Sequence, residues 1–90
     1  MPFEYNPDKN AANKAKHKLD FEEAQALWND ANRIEFDART KDEPRRITIG
    51  KIAGKLWSAI FTMRGESIRL ISVRRARDEE VEWYENDQGE

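Results

Sequence analysis

Three runs of strand-like sequence, Arg45–Ala53, Leu56–Met63 and Ser67–Arg75, are separated only by Gly54-Lys55 and Arg64-Gly65-Glu66. A glycine at each junction supplies the positive φ of a tight hairpin, so the runs read as an antiparallel meander. The last two are apolar on both faces at their centres (Trp57, Ala59, Ile60 and Phe61, then Ile68, Leu70, Ile71 and Val73). One face is expected to pack on helices, leaving apolar side chains on the other. Upstream, Ile34 and Phe36 alternate with Arg33, Glu35 and Asp37, the period of a half-buried strand. A charged loop from Ala38 to Pro44 joins that strand to the meander.

The first third has helical punctuation. Pro2-Phe3-Glu4-Tyr5 alternates long enough for a short edge strand. Asn6-Pro7 reads as an N-cap followed by proline in the first helical position. The spacing predicts a polar helix from about Asp8 to His17, with Ala11, Ala12 and Ala15 as its apolar stripe, broken at Leu19-Asp20. Asp20-Phe21-Glu22-Glu23 has capping-box spacing and opens a second helix whose buried face is Phe21, Ala24, Leu27 and Trp28. A short acidic helix from Asp78 to about Glu85 closes the chain, and Asp87–Glu90 is expected to fray. The order reads β-α-α-β-β-β-α, an α+β fold of helices on one antiparallel sheet in a single domain over residues 1–90.

Charge is segregated along this framework. Arg45, Arg46, Lys51, Lys55, Arg64, Arg69, Arg74, Arg75 and Arg77 face a single acid, Glu66, giving residues 45–77 a net charge of +8. Residues 78–90 carry seven acids and no base. The overall −2 therefore hides a basic body beside an acidic end, the footprint of a polyanion site. A solvated sheet face paired with the acidic tail is the plain alternative.

Several classes are excluded or disfavoured. No cysteine means no disulfide, thiolate zinc site or cysteine nucleophile. One histidine, His17, speaks against a histidine-built metal site, and no metal or cofactor is expected. A mean hydropathy of −1.00 and the lack of a spanning apolar run speak against a membrane protein. The first residues lack the basic and apolar regions of a secretory signal, so a cytoplasmic location is expected. Phosphate-cradling glycine loops, paired carboxylates and Ser-His-Asp spacings are absent.

Arginine matches phosphate oxygens bidentately and keeps its charge. Arg45 and Arg46 open the first meander strand, while Arg69, Arg74 and Arg75 lie on the last, two strands away. Arg64 and Arg77 add to the polyanion-binding candidates. His17, after Lys14 and Lys16, could move a proton to or from a ribose hydroxyl, or simply complement a helix C-terminus. Trp83 and Tyr84 are adjacent and point to different faces, so only one is expected in the core; Tyr84 could protonate a leaving group or stack on a base.

Phe3-Glu4-Tyr5-Asn6-Pro7-Asp8-Lys9, Asn13, Lys16-His17 and Phe21-Glu22-Glu23-Ala24 together resemble the N-terminal signature of the BrnT family, toxins of type II toxin–antitoxin systems. The resemblance continues through Arg45-Arg46-Ile47-Thr48-Ile49-Gly50, Arg64-Gly65, Ile68 to Arg74, and Glu80…Tyr84. Tyr5-Asn6 replaces the commoner Trp-Asp, and Val81 stands where the family usually has arginine. The resemblance implies a RelE/ParE-like fold and a ribonuclease that arrests translation. It also implies a BrnA-like antitoxin that covers the toxin and supplies the DNA binding. RNA is then the substrate, on or off the ribosome, with DNA met only through the antitoxin.

The expected reaction is metal-independent attack of a ribose 2′-hydroxyl on the adjacent phosphate. Lys16 or His17 would handle the proton or orient the backbone, Arg45, Arg69 and Arg74 would hold the phosphate, and Tyr84 would assist the leaving group. Arg46, Arg64, Arg75 and Arg77 would bind flanking RNA. The rival reading is a non-catalytic basic module for nucleic acid or an acidic protein; gyrase inhibition has no residue support.

Overall fold

In the computed structural model, which describes residues 2–38 and 43–88, Asn6 is extended and its side chain accepts from the N–H groups of Asp8 (2.8 Å) and Lys9 (3.2 Å). Helix α1 follows over Pro7–His17 and ends where Lys18 turns left-handed at φ 68°. Its expected alanine stripe is a correction: Ala11, Ala12 and Ala15 are all exposed. The helix docks instead through polar groups. Asn13 donates to Leu19 O (2.8 Å) and accepts from the Val73 N–H (3.1 Å), while Asn10 accepts from the Phe21 N–H (2.7 Å). An exposed alanine face costs nothing, whereas those backbone groups would otherwise be buried without partners.

The capping box at Asp20 and Glu23 is complete, and helix α2 covers Phe21–Ala24. From Gln25 to Asn29 the chain tightens into a 3₁₀ helix, so the expected second helix is half α and half 3₁₀. Phe21, Ala24 and Leu27 are fully buried, and Trp28 is half-buried between Phe3 and Phe61 in edge-to-face contacts.

Strands β1 (Phe3–Glu4), β2 (Ile34–Ala38), β3 (Arg45–Ile52), β4 (Lys55–Arg64) and β5 (Ser67–Arg75) form one sheet in the order β1-β5-β4-β3-β2. The meander is as expected, but the sheet is not wholly antiparallel as expected, because β1 adds a short parallel edge to β5. The expected order counted three strands after the helices; there are four, because Ile34–Ala38 pairs with β3 as a full member of the sheet. The last helix, α3 (Asp78–Gln88), runs past Glu85 and through Asp87, beyond the expected fray point. Part of the charged loop (39–42) and the end of the acidic tail (89–90) lie outside the described residues.

Cross-strand partners share a face, so the registers assign every side chain to one of two layers. Trp57, Ala59, Phe61, Ile68, Leu70 and Val73 meet Leu19, Phe21, Ala24 and Leu27, the main core. Gly50 lies on this side beneath the 3₁₀ helix, where a Cβ would come within 3.1 Å of Leu27 Cδ2. Helix α3 packs on the opposite face at one end: Trp83 meets Phe36 edge to face, and the Glu80 carboxylate reaches Ser58 and Arg74.

Candidate functional site

The face that α3 only partly covers is built in rows. Ile49, Ser58 and Arg74 form the row beneath α3, and Ile47, Ile60 and Ser72 the next. Beyond them Thr62 pairs with Arg69, which lies beside Glu4 of β1, while one further step of the β3–β4 register sets Arg45 on the other side of Thr62. Thr62 is buried (5% exposed) and its hydroxyl donates to Pro44 O at 2.7 Å, pinning the chain just before Arg45. Arg45 on β3 and Arg69 on β5 therefore flank one threonine of the intervening β4, with Cα atoms roughly 10 Å apart. That spacing lets two long guanidinium side chains converge on one phosphate. Arg64 is on the same face at the hairpin end and is exposed. Neither Arg45 nor Arg64 forms an ion pair with a described residue; Arg69 holds a single contact, 3.0 Å to Glu4. Ile47, Ile60 and Ser72 are half-buried and form an open floor beside this cationic row.

Arg74 is on this face too, but its charge is spent. Its two terminal nitrogens donate to the two oxygens of Glu80 at 2.7 and 2.9 Å. Glu80 also accepts from the Arg77 N–H (2.8 Å) and the Ser58 hydroxyl (2.9 Å). Glu80 is three residues past Arg77, which makes it the carboxylate that closes the start of α3. Burial alone would push its carboxyl up; the Arg74 guanidinium and the other two donors outweigh that and hold it below the usual range. Hydrogen bonding to Glu80 in turn holds Arg74 above its ordinary value.

The remaining candidates are dispersed. Arg46 is opposite Phe61 and Arg75 opposite Trp57, both on the helix-covered side. Arg46 is held by Glu35 and Asp37, and Arg75 lies 5.5 Å over the Trp57 ring. These two do not share a surface with Arg45 and Arg69. The Arg77 side chain is exposed at the start of α3. Lys16 and His17 end α1, which leaves β1, runs along the open edge of β5 and reaches Val73 at Asn13. His17, one turn further on, is thus roughly 15–20 Å along the sheet from Arg69. Neither the Lys16 nor the His17 side chain hydrogen-bonds a described residue, and the structure does not bring them to the arginine row.

Tyr84 is the core member of the Trp83-Tyr84 pair, at 4% exposed against 45% for Trp83. Its hydroxyl donates to Asp30 at 2.8 Å. Burial, reinforced by that carboxylate, pushes the phenol up to about 12. Asp30 also accepts from the backbone of Lys51 (2.9 Å) and Asn32 (2.9 Å); these bonds overcome its burial and keep it below its ordinary value. Asp30 and Tyr84 thereby tie α3 to the loop after the 3₁₀ helix. Single-residue patterning does not reveal such a hub, though the Arg77-to-Glu80 spacing was a readable capping signal.

A separate shallow cleft of about 500 Å³ is lined by Phe3, Gln25, Ala26, Trp28 and Asn29. Among the described residues no three His, Asp or Glu side chains are grouped to hold a metal ion, and no helix is long and apolar enough to cross a membrane.

Residues 5–80 match the profile of a family described as the ribonuclease toxin, BrnT, of type II toxin–antitoxin systems. No curated protein matches the chain.

Proposed function

The chain belongs to the BrnT family of ribonuclease toxins of type II toxin–antitoxin systems, and we propose that it cleaves RNA without a metal ion on the sheet face carrying Arg45 and Arg69. The observation that carries this reading is the Arg45–Thr62–Arg69 row: two cations on the strands either side of β4, over a half-open floor. Attack of a 2′-hydroxyl on the neighbouring phosphorus builds negative charge on the phosphoryl oxygens. Fixed guanidinium groups at that point stabilise the transition state more than the ground state. Arg64 extends the cationic track toward the hairpin end and binds the flanking backbone. Lys16 and His17, along the β5 edge, serve RNA contact better than proton transfer. The absence of cysteine, with only one histidine, supports chemistry without a metal.

Arrest of translation follows from cutting messenger RNA, on or off the ribosome, in the cytoplasm. A BrnA-like antitoxin neutralises the toxin by laying acidic and apolar groups across Arg45, Arg69, Ile47 and Ile60, and itself contacts DNA. The RelE/ParE-like assignment belongs to the same reading and is supported by helices flanking a mainly antiparallel sheet with an open row of arginines on one face.

The test is cleavage of a labelled single-stranded RNA in EDTA by the wild-type chain and by Arg69→Ala and Arg45→Ala. Each substitution is expected to lower the rate by about 10²–10³, the effect of losing one transition-state donor. Full activity in both variants would move the site elsewhere. RNA binding without turnover by the folded wild-type chain would favour a non-catalytic module.

A further inference from the structure

Cleavage by a 2′-hydroxyl needs a group to take its proton, and the obvious candidates are elsewhere. His17 is remote from the arginine row. Tyr84 is buried with its hydroxyl committed to Asp30. Glu80 is 5% exposed in its side chain, with Oε1 accepting from Ser58, Arg74 and the Arg77 N–H and Oε2 from Arg74, so both its oxygens are engaged. Three strand residues are acidic, and two of them, Glu35 and Asp37, are on the helix-covered side paired with Arg46. The third is Glu4, in register with Arg69 on the open face.

We propose that Glu4 is the general base of this ribonuclease, taking the 2′-hydroxyl proton beside the phosphate held by Arg69 and Arg45. The proposal rests on the ribonuclease reading above. Glu4 differs from Glu80 in the properties that matter for this role. Its side chain is 39% exposed, against 27% for Arg69, and only Oε2 is engaged, by one arginine nitrogen at 3.0 Å. Oε1 accepts no hydrogen bond from a described residue. One oxygen thus orients the carboxylate on the cation that binds phosphate, and the other is available to a hydroxyl. The backbone just before Glu4 is fixed: the Ile68 N–H donates to Pro2 O at 2.9 Å, and Phe3 packs edge to face on Trp28.

In the step, O2′ bonds to phosphorus, its proton passes to Glu4, and the bond from phosphorus to the 5′-oxygen breaks. The departing oxygen takes a proton from water, and Glu4 returns its proton to solvent. The products are a 2′,3′-cyclic phosphate and a 5′-hydroxyl, and no co-reactant is needed. The charged groups on the open face about Glu4 are Arg69 on β5 and Arg45 across Thr62; Asp8 and Lys9 follow along the chain in the first turn of α1.

The experiment compares the wild-type chain with Glu4→Gln on a labelled single-stranded RNA, following kcat, KM and the rate against pH, with thermal melting as the folding control. A general base contributes about 10²–10⁴, so kcat should fall by that factor. KM should hold or drop, because Arg69 loses its competing carboxylate. The acidic limb of the rate profile should vanish in Glu4→Gln. Glu4→Ala assayed with added formate is the second variant: a small carboxylate entering the vacated space should restore part of the rate. A folded Glu4→Gln with wild-type kcat and pH profile overturns the proposal while leaving the ribonuclease reading intact. Slow Glu4→Ala with no formate rescue and an unchanged pH profile reduces Glu4 to an ion-pair partner and also overturns it. A folded wild-type chain that cuts no RNA removes both readings together.

Discussion

At the scale of single residues, the difference between Arg74 and Arg69 decides how each should behave when removed. Arg74→Ala leaves the Glu80 carboxylate buried without its cation, a situation that costs about 3–5 kcal/mol. Urea unfolding should show that loss, and any drop in RNA cleavage should follow the fraction folded. Arg69→Ala breaks one half-exposed contact, worth about 0–1 kcal/mol, so its melting curve should stay close to wild type while activity falls. Glu80 and Asp30 both have folded-state carboxyls below their ordinary values of 4.5 and 3.8. A depressed acid contributes stability that is present above the unfolded value and lost as pH falls through the folded one. Stability is therefore expected to decline below about pH 4.5, and Glu80→Gln should flatten that decline in a pH series of denaturant midpoints. Tyr84 acts at the other limit. Its phenol rises to about 12, so the stability it contributes is intact below its ordinary value of 10.0 and disappears as pH climbs through the folded value. Ultraviolet titration should reveal a late tyrosinate step that Tyr84→Phe abolishes.

At the scale of elements, α1 is held by amide side chains. Asn13 answers two backbone groups at once, the Leu19 carbonyl and the Val73 N–H at the uncovered edge of β5. Asn13→Ala should destabilise by about 2–6 kcal/mol, since each of the two buried groups left without a partner costs about 1–3 kcal/mol. Asn13→Leu should not recover the loss, because apolar volume satisfies neither group. Chemical denaturation of the two variants checks this. By the same logic Ala11→Ser, on the exposed side of α1, should change stability by less than about 0.5 kcal/mol. The second helix tightens to 3₁₀ where the close approach of Leu27 to Gly50 holds the chain tightly against β3.

At the scale of the whole molecule, the reversal of charge along the chain has become a partition of one sheet face. The acidic α3 covers the Arg74 end and neutralises it through Glu80, while the Arg45, Arg64 and Arg69 end stays open. RNA affinity should fall with salt, and each arginine of the open row that meets a phosphate should contribute about 0.7 to the slope of log K against log salt for a single strand. Arg64→Ala should lower that slope, whereas Arg46→Ala and Arg75→Ala, on the other face, should leave it unchanged. Filter binding across a salt series distinguishes them.

Local chemistry was legible in the residues alone. The Asn6-Pro7 and Asp20…Glu23 helix starts, the glycine-turned meander, the alternation of Ile34 and Phe36, and the opposite facing of Trp83 and Tyr84 all depend on near neighbours in the chain, whereas which of those two rings is buried was decided by the fold. So did the family, whose signature runs through most of the chain. What only the tertiary structure decided is which charges are free. Arg46, Arg69, Arg74 and Arg75 are alike in the sequence, but register sends two of them to the covered face, and Glu80 silences a third. Glu4 and Arg69 are 65 residues apart and meet only because β1 pairs in parallel with β5. Electrostatics acts through space, so the function of a charge depends on partners that folding alone brings within reach.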